Sequence, residues 1–539
     1  MYHCLKHLLA FYLLTHVSGL LAADIPPGTE LAEKQELVRG NNAEPGSLDP
    51  NRVEGVPGAN IARDLFEGLV NQDLEGNTIP GLATEWTSLE DNYKWVFKLR
   101  KTGRWSNGDP VTAHDFVYAW RRITNPATAA TYAWFLEMAA VLNAGAISQG
   151  EQAPGTLGVL AKDDYTLEVT LEKPIPYFVR MMAHPSTYPV HRGSIEKFGE
   201  QWTRPGNIVS NGAYQLDQWV VNERIVLKRN PHYWNDAKTV INKVTFLPIV
   251  SRTGELNRYK AGEVELTGGI PLEHFKRLSK TLPNELKRQK RLATVFYAFN
   301  TKTPPFDDKR IRKALALAVD RDVLTKYVLG RGEQPAYAFT PEVVSGYNPP
   351  LPEWASWTQA QRDAEARRLY AAAGYSKANP LKIGLLYNTS EGAKKIALAI
   401  NSMWKRSLGV QATLENQEWK TFLENLRLGK FQTSMSGWVG DYNEASSMLD
   451  LAVSTHGNNN AKYNNPEYDR IMRESKLLMD EKARNSLYDQ AEKILAEDVP
   501  NMPLYQSMNV ILLKPYVGGY AENNPEGRFY TRNMYIIKH

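Results

Sequence analysis

Apolar and polar positions change their period along the chain, and the changes mark out elements. Tyr93, Trp95, Phe97 and Leu99 alternate with polar residues, which predicts a strand with one buried face. Tyr165, Leu167, Val169 and Leu171 repeat that pattern, as do Ile225 to Lys228 and Val244 to Ile249. Turns at Asn230-Pro231 and Asn235-Asp236 make residues 214–249 one sheet unit. After Gly58 the period lengthens: Ile61, Leu65, Phe66, Leu69 and Val70 keep to one face of a helix. The later half mixes both periods. Leu381 to Tyr387 predicts a strand, Ile396, Ile400, Met403 and Trp404 a helix, and Val410, Ala412 and Leu414 a second strand. That is a βαβ unit, with parallel strands and a right-handed crossover. Asn465 before Pro466 reads as an N-cap followed by proline at the first helical position, opening a helical pair to about residue 497. The fold class expected is α/β, in the mixed α+β sense, spread over two or three domains of a 539-residue chain.

Composition narrows the function. Hydrophobic residues are 42% and charged residues 23%, which excludes a disordered chain, a collagen and a polytopic membrane protein. The net charge is +5, with no basic block interleaved with aromatics, so no nucleic-acid partner is expected. The 13 Trp and 27 Tyr fit either an aromatic-lined cavity or an aromatic-rich core.

The start of the chain has the pattern of a secretory signal peptide over residues 1–22. Lys6, with His3 and His7 nearby, precedes an apolar run from Leu8 to Leu14, and small residues lead to Ala22 and Ala23. The run is too short to anchor a protein in a bilayer. Cys4, the only cysteine, lies before the run and leaves with it. The mature chain is therefore expected to be soluble, free of thiol, disulfide and lipid anchor, and periplasmic, with an extracellular destination as the alternative.

Catalytic motifs are absent from the sequence. It has no zinc-binding His-Glu-x-x-His, no Gly-x-Ser-x-Gly elbow, no phosphate-cradling loop and no Gly-x-Gly-x-x-Gly. His184 and His191 are separated by Pro185 and Pro189, so no regular helix presents both as metal ligands. No metal, cofactor or catalytic residue is expected. A hydrolase using paired carboxylates, which leave no linear motif, stays as the alternative.

Several long strings carry a resemblance. They include Gly81-Leu-Ala-Thr-Glu-Trp86, Trp95-Val-Phe-Lys-Leu-Arg100 and Trp105-Ser-Asn-Gly-Asp-Pro-Val-Thr-Ala-His-Asp-Phe116. Further along come Pro205-Gly-Asn-Ile-Val-Ser-Asn-Gly-Ala-Tyr214, Arg310-Ile-Arg-Lys-Ala-Leu315, Asn416-Gln-Glu-Trp-Lys-Thr-Phe422, Asp441-Tyr-Asn-Glu444 and Met534-Tyr-Ile-Ile-Lys-His539. Together they resemble the signature of the periplasmic peptide-binding proteins that feed ABC importers, most of all its oligopeptide- and murein-tripeptide-binding branches. The resemblance runs through essentially the whole chain after the signal. It implies a three-domain binding protein whose two lobes close on a ligand about a hinge. Domain I would comprise 23–66, 191–292 and 509–539, domain II 67–190 and domain III 293–508. It further implies a monomer that takes a peptide or peptide-like ligand as an added strand and docks on a membrane ABC permease complex.

The resemblance also implies site residues. Asp441 matches the aspartate that binds the ligand's ammonium; an aspartate that merely caps a turn is the alternative. Gly437 and Val439 match backbone partners of the peptide, and Val56 matches the facing strand. Tyr132, Asn388, Trp419, Trp438 and Tyr505 match lining positions, and each aromatic among them would serve equally as core. Other positions depart from the pattern. Leu426, Met435, Ala393 and Leu329 stand where relatives hold cationic partners for the ligand's carboxylate. Arg331 and Arg427 lie near enough in sequence to substitute, or are surface charges. Ala293 and Val439 stand where a relative has a disulfide. These departures leave room for a blocked, cyclic or conjugated peptide or an opine-like compound, and a chaperone of unfolded chains remains a third class.

Overall fold

The computed structural model describes residues 25–539, so the signal peptide expected over 1–22, Cys4 included, lies outside the described residues. The four alternating segments of the first half fall in two sheets, one antiparallel and one mixed. In one, Ala83–Leu89, Lys94–Leu99, Thr166–Thr170 and Val159–Asp163 pair in that order. Phe97 lies opposite Leu167 in the ladder, and both are fully buried. In the other, Tyr214–Val220, Arg224–Arg229 and Lys243–Leu247 form the predicted unit. A strand from the chain's start, Glu36–Gly40, adds to it in parallel. The C-terminal end laces onto the same region: the Gln35 side chain bonds both the carbonyl and the N–H of Ile536, each at 2.8 Å.

The helix expected after Gly58 is displaced. It spans Gly55–Leu65, and Val70 belongs to a short strand, Val70–Gln72. The helix stops because Phe66 is extended and the Leu65 carbonyl accepts from the Gly212 N–H at 2.8 Å. Apolar periodicity continued past the end because Leu69 and Val70 are buried as well, in a different element.

The later half builds a six-stranded mixed sheet. Its order is Gln334–Pro335, Asn501–Leu512, Leu286–Phe299, Thr433–Val439, Lys382–Asn388, Gln411–Gln417. The predicted βαβ unit is there: Lys382–Asn388 and Gln411–Gln417 are parallel, joined by the helix Glu391–Leu408. Two long antiparallel strands, Leu286–Phe299 and Asn501–Leu512, dominate the sheet, and their pairing breaks between Lys290 and Thr294. On one side of the break they pack on Leu256, Tyr259 and Leu278; on the other they enter cores made of residues 292–505.

The helical pair is Pro466–Ser475 and Glu481–Asp498. Asn465 is its N-cap, with Oδ1 accepting from the N–H groups of Glu467 at 3.0 Å and Tyr468 at 3.2 Å. Replacing a capping asparagine by alanine strands both donors, so Asn465→Ala is expected to cost about 1 kcal/mol of stability. Chemical denaturation of parent and variant checks this; an unchanged midpoint would show the cap to be idle.

Candidate functional site

A cavity of about 640 Å³ lies between the start of the helix Gly55–Leu65 and the strand Thr433–Val439. The geometry of that strand follows from its pairing. Gly440 N–H donates to the Leu292 carbonyl at 2.8 Å, and the register sets Trp438 against Thr294 and Gly437 against Val295. Hydrogen-bonded pairs alternate in an antiparallel ladder. Ser436 and Trp438 therefore turn their backbone groups toward Leu286–Phe299, while Gly437 and Val439 turn theirs the other way. On that other edge, Lys382–Asn388 pairs only at Leu385 with Thr433 and Leu386 with Ser434. Gly437 and Val439 thus present free N–H and C=O groups on the cavity wall. Ala293 and Val439 face each other directly across the ladder.

The strand ends at Val439, and two residues on comes Asp441. Ser447 Oγ accepts its N–H at 2.7 Å, and Trp438 Nε1 donates to the Ser447 carbonyl at 2.9 Å, so the bend is held from both sides. The carboxylate is buried and makes no ion pair with Lys or Arg among the described residues; its neighbour is His184, with Nε2 to Oδ1 at 3.4 Å. His184 Nδ1 accepts the Ser186 N–H at 3.3 Å, which leaves the ring proton on Nε2, facing Asp441. Burial, with Arg528 and Arg63 nearby, holds the imidazole well below its usual range, so it is neutral. Tyr132 stacks on it at 4.9 Å. Burial pushes the Asp441 carboxyl up to about 7, against a partial pull downward from Arg528 and Arg63.

Across the cavity, Gly55 has φ +75, and a Cβ there would come within 3.3 Å of Trp419. Glycine meets both the backbone and the space requirement. Val56, Tyr132, Asn388, Trp419, Trp438, Leu426 and Met435 all reach the lining. Tyr505, Ala393 and Leu329 do not: they are buried in the apolar core beside the βαβ unit. Arg331 is held by Glu333, Nε to Oε1 at 2.7 Å, away from the lining. Arg427 faces Glu54 at 3.8 Å and opens on an adjoining cleft of about 410 Å³. Among the described residues no three His, Cys, Asp or Glu side chains converge as a metal site would require.

Residues 77–460 match the bacterial extracellular solute-binding proteins, family 5 Middle. The chain belongs to this family. It is a solute-binding protein and not an enzyme. It is 50% identical over 520 residues to the periplasmic oligopeptide-binding protein OppA of Escherichia coli K12, covering 96% of each chain. The structure of the Escherichia coli murein tripeptide binding protein MppA superposes with a TM-score of 0.93 at 47% identity, covering 95% of this chain and 100% of that one. Haemophilus influenzae OppA in complex with RPPGFSPFR gives 0.92 at 46% identity, covering 94% and 100%. The unliganded open form of MppA gives only 0.71 at the same 47% identity, covering 95% and 99%. Sequence is equal in the two MppA comparisons, so the difference is one of arrangement, and this chain is not in the open one.

Sequence reasoning missed His184, Arg63, Arg291, Arg528 and Glu526, all on the lining. Arg63 alone left a trace, as a charge between Ile61 and Leu65 on an apolar helical face.

The position of Asp441 has a pH consequence. A carboxyl raised from 3.8 to about 7 favours its protonated form in the folded state. Its contribution to stability is complete below the unfolded value and is lost as pH rises through about 7. Asp441→Asn, which keeps the shape without the charge, is expected to raise the melting temperature of the ligand-free protein at about pH 8 and barely change it at about pH 4. Scanning calorimetry across that range checks it; parallel profiles for parent and variant would contradict it.

Proposed function

We propose that this protein captures a peptide or peptide-like ligand in the cavity, as an added strand along the free edge of Thr433–Val439, and hands it to a membrane ABC permease. One observation carries the proposal: the free edge at Gly437 and Val439 ends at a buried carboxylate that lacks a cation. A ligand ammonium is the partner such a group requires, since a buried charge without one is unfavourable. The names of the relatives, which bind oligopeptides and murein peptides, support the same reading. Their periplasmic location, with no described helix long and apolar enough to cross a membrane, supports a periplasmic destination after removal of residues 1–22. In this proposal the protein is an unanchored monomer. Its domain I comprises 23–66, 191–292 and 509–539, domain II 67–190 and domain III 293–508. The hinge lies in the two long strands, where pairing breaks between Lys290 and Thr294.

The carbon of Leu426 and Met435 favours one refinement. Neither side chain can offset the desolvation of a buried carboxylate, and Arg252, a cation on the lining, is already bound to Glu255 at 2.9 Å. A ligand with a blocked, extended or conjugated far end fits better than one ending in a free acid there.

Two measurements test these statements. Asp441→Ala is expected to weaken a tripeptide with a free amino terminus by roughly 2–5 kcal/mol. Calorimetric titration reads this, and a change below about 0.5 kcal/mol would remove Asp441 as the ammonium partner. A tripeptide and its C-terminal amide are expected to bind equally, or the amide better. A free acid favoured tenfold, about 1.4 kcal/mol, would reveal another cation at that end.

A further inference from the structure

The arginines on the cavity lining are not equivalent. Arg252 is answered by Glu255 at 2.9 Å, and Arg528 by Glu526 at 2.8 Å. Arg63 and Arg291 have no such answer: neither makes an ion pair or a hydrogen bond among the described residues, and the Nε of each is buried without a partner. Arg63 is only 6% exposed, on the buried face of the helix Gly55–Leu65. Arg291 sits in the gap where the long strands lose their pairing, and it lies over Gly527, where a Cβ would come within 3.0 Å of its Nε. Burial lowers Arg291 to about 10, so it remains charged at neutral pH. Arg63, Arg291 and Arg528 repel one another, while the carboxylates beside them are Asp441 and Glu526. Once Glu526 has paired with Arg528, and a ligand ammonium with Asp441, two guanidiniums are left without an anion. Two cations on the cavity wall, each with a buried Nε and no protein anion among the described residues, favour one from the ligand.

We propose that Arg63 and Arg291 form an anion subsite beside the ammonium site, and that the ligand carries a carboxylate on its amino-terminal residue. This rests on the peptide reading of the cavity. An ammonium at Asp441 fixes the first residue, and Arg63 lies near enough to Asp441 to act on its charge. An acidic side chain on that residue meets the guanidiniums; a neutral one of the same size leaves them unpaired.

The test compares Glu-Ala-Ala with Gln-Ala-Ala by calorimetric titration at neutral pH, on the full mature chain. Glu-Ala-Ala is expected to bind about tenfold tighter, with the advantage shrinking as salt rises. In Arg63→Gln and Arg291→Gln the ratio between the two peptides is expected to fall toward one, and in Arg63→Lys to persist in part. The parent comparison alone decides the proposal if a variant does not fold. Equal binding of the two peptides by the parent overturns it. So does a ratio that survives both glutamine variants, or a preference for Ala-Glu-Ala over Ala-Gln-Ala without one at the first residue. If none of these peptides binds the parent, the peptide reading falls, and the subsite with it.

Discussion

Closing a protein around a cavity removes water from every charge on the wall, and each charge left without a partner becomes a demand on whatever enters. The surrounding structure satisfies most of its buried ions. Arg484 meets Glu444 at 2.8 Å, Arg122 meets Asp49 at 2.6 Å, and Arg528 meets Glu526 at 2.8 Å. These pairs fix walls. On the cavity lining Asp441, Arg63 and Arg291 have no such ion pair with a Lys, Arg, Asp or Glu side chain among the described residues, and they are gathered at one end of the cavity. The other end is carbon, from Phe422, Leu426 and Met435. A polar end opposite an apolar end gives an extended ligand a preferred direction before any side chain is read.

The strands supply the second half of that direction. Thr433–Val439 is held on one edge by Leu286–Phe299 through its whole length, but on the other edge only at its start. Beyond Leu386 the neighbouring strand stays with Gln411–Gln417, as far as Asn388 opposite Gln417, and diverges from Thr433–Val439. The slot between them exposes the backbone of Gly437 and Val439. Register is what makes this work: a slip of one residue would turn those groups into the sheet and Ser436 and Trp438 out of it. In the proposed mode, recognition through backbone groups is indifferent to the ligand's side chains along the strand, so selectivity is left to the two ends of the cavity.

The elements were legible where one face is buried and the period is regular. Phe97 with Leu99, and Ile396 with Ile400, marked their strand and helix because solvent lay on the opposite side. Asn465-Pro466 was legible because capping is a local interaction. The end of the helix Gly55–Leu65 was not, since the Leu65 carbonyl bonds Gly212, a contact between residues far apart in sequence. The site divides in the same way. Residues 437–441 lie in one contiguous string, so the resemblance carried them together. His184, Arg291 and Arg528 reach the cavity from three separate segments, and no spacing in a linear sequence joins them. Tyr505 shows the converse: an aromatic matched to a lining position lies in the core, opposite Val295 in the ladder.

The Arg528 guanidinium donates to the Asp441 carbonyl at 2.5 Å on the lining, and other contacts between segments around the cavity are weaker. Arg427 and Glu54 are 3.8 Å apart and partly exposed, and an ion pair of that kind is worth less than about 1 kcal/mol. Tyr177 stacks on Tyr442 at 5.1 Å and Trp134 meets His456 at 4.2 Å, contacts of about 1 kcal/mol each. Against them stands the cost of enclosing Asp441 and two guanidiniums with nothing between them, each a desolvation of several kcal/mol when unanswered. An occupant carrying the complementary charges reverses the sign of that term, because the enclosed groups then attract across a medium of low dielectric. If the cavity closes on its ligand as proposed, the charges that oppose closure of the empty cavity favour closure of the filled one, which would couple binding and closure through electrostatics at one end.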